Sequence, residues 1–177
     1  AILGRGRRRI RALAHPGPIP SWAVLFGGPN AVPAGRSSNA TLSLAPGDYV
    51  MLCFVDVPGG VPHFMKGMAK GFTVVGPARP AALPAADLAI TLTDYAFLFS
   101  RPLTAGRHRI AVTNRSAQPH MLVINRFPPH AHLAQFIAWG ANPAGKLAPG
   151  TPEGGVTTIG PGITVVIDGN FPAGHYG

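Results

Sequence analysis

The run from Tyr49 to Val55 (YVMLCFV) fixes a strand near the first third of the chain and constrains what can be built around it. Tyr49, Met51, Cys53 and Val55 share one face, and Val50, Leu52 and Phe54 the other. This is the two-residue period of a strand, and the apolar character of both rows predicts burial on both sides. Pro46-Gly47 is the turn that feeds the strand, and Asp56 to Gly60 (DVPGG) breaks it. Cys53, the only cysteine, therefore sits near a strand end, with His63 and Met68 on the loop that follows. Loops held by a rigid sheet are where functional side chains concentrate.

A thiolate, an imidazole and a thioether converging on one point suit copper. Two imidazoles and a thiolate in a plane with a weak axial methionine form the blue-copper set, whereas structural zinc takes four closely spaced Cys or His ligands. The competing reading makes Cys53 a small buried hydrophobe and His63 and Met68 ordinary loop residues.

At these residues the chain resembles the cupredoxins, the blue-copper β-sandwiches of plastocyanin and azurin type. That family carries Cys, His and Met in this order on the loop between its last two strands. Cys53-x9-His63-x4-Met68 keeps the order, with nine residues where better-known members have a much shorter first gap. PGDYVMLCF followed by PH and GM is similar to a bacterial branch in which two such domains occur in tandem. The family also needs a first histidine, preceded by a strand and an Asn-containing loop. NRSAQPH, Asn114 to His120, resembles that element, so the resemblance implies His120 as a further copper imidazole. An ordinary histidine at the start of a strand is the alternative.

Glycine and proline set the fold class. Twenty-three Gly and 20 Pro, spread without period through 177 residues, imply many turns and few long helices, and 46% apolar content is ample for a core. The expectation is an all-β, cupredoxin-like Greek-key β-sandwich with one short helix. The single cysteine excludes an intrachain disulfide framework. No apolar run is long enough to span a bilayer. The abrupt start at Ala1 reads as a fragment without its export signal, from a periplasmic or extracellular protein.

The formal charge of +9 draws on a basic arm, Arg5, Arg7, Arg8, Arg9 and Arg11. Such an arm can bind nucleic acid or an anionic surface by counterion release. With no aromatic residue interleaved to stack on bases, a solvated terminus is the favoured reading.

Four segments follow: 1–21, basic and Pro-rich; 22–75, the later part of a first cupredoxin-like unit; 76–86, an Ala/Pro linker; and 87–177, the earlier part of a second unit. Strands are expected at Thr41 to Leu44, Phe72 to Val75, Leu88 to Leu92, Tyr95 to Phe99, Arg107 to Thr113, His120 to Phe127 and Ile163 to Ile167, and a helix at His130 to Trp139. At an offset of 127 residues, Gly27, Gly28, Gly35, Gly47 and Tyr49 meet Gly154, Gly155, Gly162, Gly174 and Tyr176, which reads as a tandem repeat. The counterpart of Cys53 would fall beyond Gly177, and that of His120 before Ala1. One way to complete a site is circular permutation: an 11-residue linker reaches about 15 to 20 Å. Strands between Leu88 and Ile167 would then accept Asp48 to Val55 and Phe72 to Val75, bringing His120 to Cys53.

Other chemistry finds less support. His130 and His132 would diverge on a helix, His15 and His175 read as solvated, and the six carboxylates form no acid/base pair. No G-x-S-x-G, P-loop or CxxC motif is present. Asn39-Ala-Thr41 and Asn114-Arg-Ser116 fit glycosylation sequons. The expectation is a non-enzymatic electron-transfer protein with one mononuclear copper held by Cys53, His63, Met68 and His120, serving a redox partner protein. The alternative is a metal-free sandwich acting as a binding or structural module.

Overall fold

The structure, a computed structural model, describes residues 22–77, 81–142 and 148–177. The basic arm from Arg5 to Arg11 and His15 lie outside the described residues, as does part of the 76–86 linker. Among the described residues the fold is all-β apart from one α-helix and one short 3-10 turn, and the chain divides into two compact units.

The smaller unit includes Leu44–Ala81. Strand β1 (Gly47–Leu52) pairs antiparallel with β4 (Ala69–Val74), from Gly47 opposite Val74 to Leu52 opposite Ala69. Between them lie two two-residue strands, β2 (Asp56–Val57) and β3 (Val61–Pro62), which pair with each other, and a 3-10 turn over His63–Lys66. Stacking of Tyr49 on Phe72, with centroids 5.5 Å apart, joins β1 to β4 on one face. The expected burial of both faces of Tyr49 to Val55 is not met. Val50, Met51, Phe54 and Val55 are exposed, and Phe64 is the buried apolar residue of the segment between β1 and β4. A two-stranded sheet offers too little partner surface to cover two apolar faces.

The larger unit contains Leu25–Ser43 and Ala82–Gly177. Its strands are β5 (Leu88–Thr93), β6 (Ala96–Phe99), β7 (Gly106–Asn114), β8 (His120–Phe127), β9 (Thr151–Ile159), β10 (Thr164–Phe171) and β11 (His175–Tyr176), with helix α1 (Leu133–Ala141) between β8 and β9. They form a four-stranded sheet of order β10-β7-β5-β6 and a three-stranded sheet of order β11-β8-β9. β5 and β7 run parallel, and every other pairing in these sheets is antiparallel. The chain changes sheet between β7 and β8, between β9 and β10, and between β10 and β11, so the two layers are interwoven.

The core follows from alternation. Leu88, Ile90 and Leu92 of β5, Ile110 and Val112 of β7, and Val165 and Ile167 of β10 meet Leu122 and Ile124 of β8 and Val156 and Ile159 of β9 in one buried cluster. Two sheets sharing a single apolar layer make a sandwich. Gly155 permits the close approach of β9 to β8: a Cβ there would stand 2.1 Å from the carbonyl oxygen of Leu122, at a φ of +127° that favours glycine. Most strand expectations match, but β9 has no counterpart among them, and Thr41 to Leu44 is reduced to a bridge between Thr41 and Val166.

Two expectations are corrected. Leu25–Ser43, assigned by sequence to the first repeat, groups with the larger unit, bridging Phe26 to Ile159 and Pro29 to Val156. The permuted composite sandwich is not formed: β1 and β4 make a two-stranded sheet of their own. The described strands satisfy their registers without the exchange.

Candidate metal centre

Cys53 is the first residue past β1, and its backbone continues the ladder. Its N–H donates to the Met68 carbonyl at 3.2 Å, and its carbonyl accepts from the Phe64 N–H at 2.9 Å. The Met68 N–H donates to the His63 carbonyl at 3.1 Å. Three backbone bonds thus lock the loop that carries the expected donors. Gly67 closes the 3-10 turn at a φ of +105°, a left-handed conformation that costs a residue with a Cβ about 1–2 kcal/mol. Its N–H donates to the Phe64 carbonyl at 3.1 Å.

The long gap between Cys53 and His63 is folded out of the way. β2 and β3 form a miniature hairpin, with Asp56 opposite Pro62 and Val57 opposite Val61. Gly59 and Gly60 turn its tip at φ values of +105° and +76°. The His63 N–H then donates to the Val55 carbonyl at 2.8 Å, so the chain returns almost to where it left.

Cys53 Sγ and His63 Nδ1 consequently lie 3.7 Å apart, both half-buried. Phe64, 7% exposed, packs its ring 5.1 Å from that of Phe54 beside them. The spacing fits a shared metal ion: bonds of about 2.3 Å to sulfur and 2.0 Å to nitrogen, opened to about 120°, put the two donor atoms about 3.7 Å apart. Met68 is exposed, at 59%, with its backbone tied to both neighbours. Cys53, His63 and Met68 are thus brought onto one loop. Among the described residues no group of three or more His, Cys, Asp or Glu side chains is placed to hold a metal, so methionine is needed to complete even a three-donor set.

His120 is not a residue of this loop. It opens β8 in the larger unit, as expected, and its Nε2 lies 3.2 Å from Asp94 Oδ1 in the β5–β6 turn. The preceding loop is held by Asn114, which is fully buried. Its Nδ2 donates to the carbonyls of Gln118 and Ile159 at 2.7 and 3.0 Å, and its Oδ1 accepts from the Ser116 N–H at 2.9 Å. The pairing that was to bring His120 to Cys53 is the one that is not formed. His130 and His132 precede α1, and the His132 N–H donates to Gln135 Oε1 at 2.7 Å. Both sequon asparagines use their amides within the fold, Asn39 on the Asp168 backbone and Asn114 as above.

A polar cluster that the sequence reading did not find lies in the larger unit. The His108 ring is buried between Asp87, whose Oδ2 is 2.7 Å from Nδ1, and the Thr104 carbonyl, 3.0 Å from Nε2. Asp87 Oδ1 also accepts from the Arg109 N–H at 2.6 Å, and Arg101 pairs with the carboxylate. The His108 hydrogen bond, and then the Arg109 N–H, hold the Asp87 carboxyl below its ordinary value of 3.8. Only the parallel register of β5 on β7 brings Asp87 to His108, and no local sequence signal reports that register.

Comparison with protein-family models, with curated proteins and with solved structures gives no match for this chain.

Proposed function

We propose that the Cys53–His63–Met68 loop binds copper and that the protein carries single electrons through it, as its resemblance to the cupredoxins implies. The observation that carries this reading is the 3.7 Å approach of Cys53 Sγ to His63 Nδ1, which are separated by a folded-out hairpin. Thiolate and thioether sulfur with an imidazole are a donor set that selects copper among the first-row metals. Bound copper would supply a one-electron couple. Cys53 and His63 would hold it on a backbone locked at Met68 and Phe64, and Met68 would be the weak third donor. His120, paired with Asp94, is read apart from this set.

The reading is of a carrier rather than an enzyme, working in the periplasm or outside the cell with a redox partner protein. The exposed Phe54, Met65 and Met68 around the loop give such a partner an apolar landing area. The Gly and Tyr matches at an offset of 127 further support reading the chain as a tandem repeat.

Titration with copper under anaerobic conditions tests the proposal. A thiolate-to-copper charge-transfer band that saturates at one equivalent and is absent in Cys53→Ser supports it. If neither copper state binds, the reading fails and the metal-free module takes its place.

A further inference from the structure

Leu25–Ser43 meets β9 and β10 in a pattern that the repeat offset organises. Pro29 is bridged antiparallel to Val156, which is its own counterpart 127 residues on. An antiparallel bridge between equivalent positions is centred on a local two-fold axis, and the two hydrogen bonds that define it exchange under that rotation. The Asn30 N–H donates to the Gly155 carbonyl at 3.2 Å, and the Thr157 N–H, counterpart of Asn30, donates to the Gly28 carbonyl, counterpart of Gly155, at 3.0 Å. The rotation holds around Pro29 but is not carried along the strand: the Phe26–Ile159 bridge and the bond from the Gly160 N–H to the Leu25 carbonyl have no mates at Val32–Glu153 and Pro33–Pro152.

The second strand pair obeys the same rule. Thr41 and Val166 exchange backbone bonds of 2.7 and 3.1 Å. Their counterparts are Asp168 and Asn39, and these also exchange two bonds. The Asp168 N–H donates to Asn39 Oδ1, and Asn39 Nδ2 donates to the Asp168 carbonyl, both at 2.8 Å. On that side the carboxamide of Asn39 stands in for a peptide group. Local geometry repeats as well: Gly35 and Gly162 have φ values of +78° and +76°. Tyr49 Oη and Tyr176 Oη each donate at 2.7 Å to the carbonyl four residues earlier.

We propose that the surface formed by Gly155, Thr157, Val166 and Asp168 is a docking surface for a second copy of the same repeat element, filled within this chain by Leu25–Ser43. The partner it fits is an element of its own kind, turned through a two-fold rotation. Backbone groups make most of the mated bonds, so recognition depends on strand register more than on side-chain identity. Arg36 with the buried carboxylate of Glu153, and the Gly27 backbone against the Ile159 side chain, break the symmetry and fix which copy sits where. The proposal rests on the tandem-repeat reading and is independent of copper.

The test is a graft in the full chain. Residues 25–43 are replaced by a second copy of 152–170, the equivalent stretch, and, in a control, by a shuffled version of that stretch. Amide exchange at Thr157 and Val166 reports docking, and the Cys53 copper band is recorded in parallel. The graft is expected to hold protection within about tenfold of the parent, while the shuffled control loses about a hundredfold or more. Equal loss in graft and control overturns self-recognition. In the otherwise unchanged chain, Asn39→Ala is expected to raise exchange at Asp168 at least tenfold and leave Thr157 within threefold. No change at Asp168 overturns the mated pair. Failure of the copper band with these exchange results intact would sink the copper reading alone.

Discussion

Cys53 Sγ lies 3.7 Å from His63 Nδ1 because the intervening residues leave and re-enter the loop through one backbone bond, from the His63 N–H to the Val55 carbonyl. Loop length in sequence is therefore a poor guide to donor spacing here. The intervening residues form β2 and β3, and Cys53 and His63 stay at the mouth of that hairpin.

Gly67 is the backbone hinge of this arrangement. Its φ of +105° is met by open space, so the cost of a Cβ is conformational rather than steric. Gly67→Ala should destabilise the ordered loop by about 1–2 kcal/mol. Copper affinity, measured by competition with a chelator of known strength, should weaken by about tenfold.

Phe64 supplies the apolar support beside the two donors. Phe64→Leu should leave copper binding within a few-fold. Phe64→Ala, which removes the ring packed on Phe54, should broaden the copper band and raise amide exchange at Met68 and His63. Unchanged exchange in Phe64→Ala would show that the loop is held by its backbone alone.

The sandwich should respond differently. Ile110→Ala opens a cavity in a fully buried position and should cost about 2–5 kcal/mol in chemical denaturation. Ile137→Ala, at an exposed site on α1, should stay within about 0.5 kcal/mol. Copper binding by the smaller unit's loop should be unaffected by Ile137→Ala.

The Asp87 carboxylate gives the larger unit an acid limb. Its folded pKa lies below 3.8, so as pH falls the unfolded chain takes up the proton first. The stabilisation is fully present above about pH 4–5 and is lost as pH falls through the folded value. His108, Arg101 and the Arg109 N–H are the groups facing it. Asp87→Asn should lower the urea midpoint at pH 6 and flatten its fall between pH 5 and 3. A parallel fall in parent and variant would assign the acid limb to other carboxylates.

Much of the larger unit was legible because its apolar alternation is strong. His120 to Phe127 forms a strand with the expected bounds, and Leu88, Ile90 and Leu92 are buried on one face as read. The strand Thr151–Ile159 escaped notice because Pro152 and the Gly154-Gly155 pair read as turn residues. In the fold Gly155 lets β8 approach, which only the pairing explains. Helix α1 starts three residues later than expected because His132 lies before it in an extended conformation. Cys53, His63 and Met68 were legible as a local set, since order and strand end are sequence properties. The placement of His120 depended on a strand exchange between distant segments, and β1 finds its partner locally in β4 instead.

X-ray absorption at the copper edge of the loaded full chain tests the central claim most directly. The account predicts a sulfur shell at about 2.2–2.3 Å together with an imidazole shell near 2.0 Å. The sulfur shell should be lost in Cys53→Ser and the imidazole shell diminished in His63→Ala. A spectrum of oxygen and nitrogen scatterers that neither substitution changes would contradict the account and place the copper elsewhere.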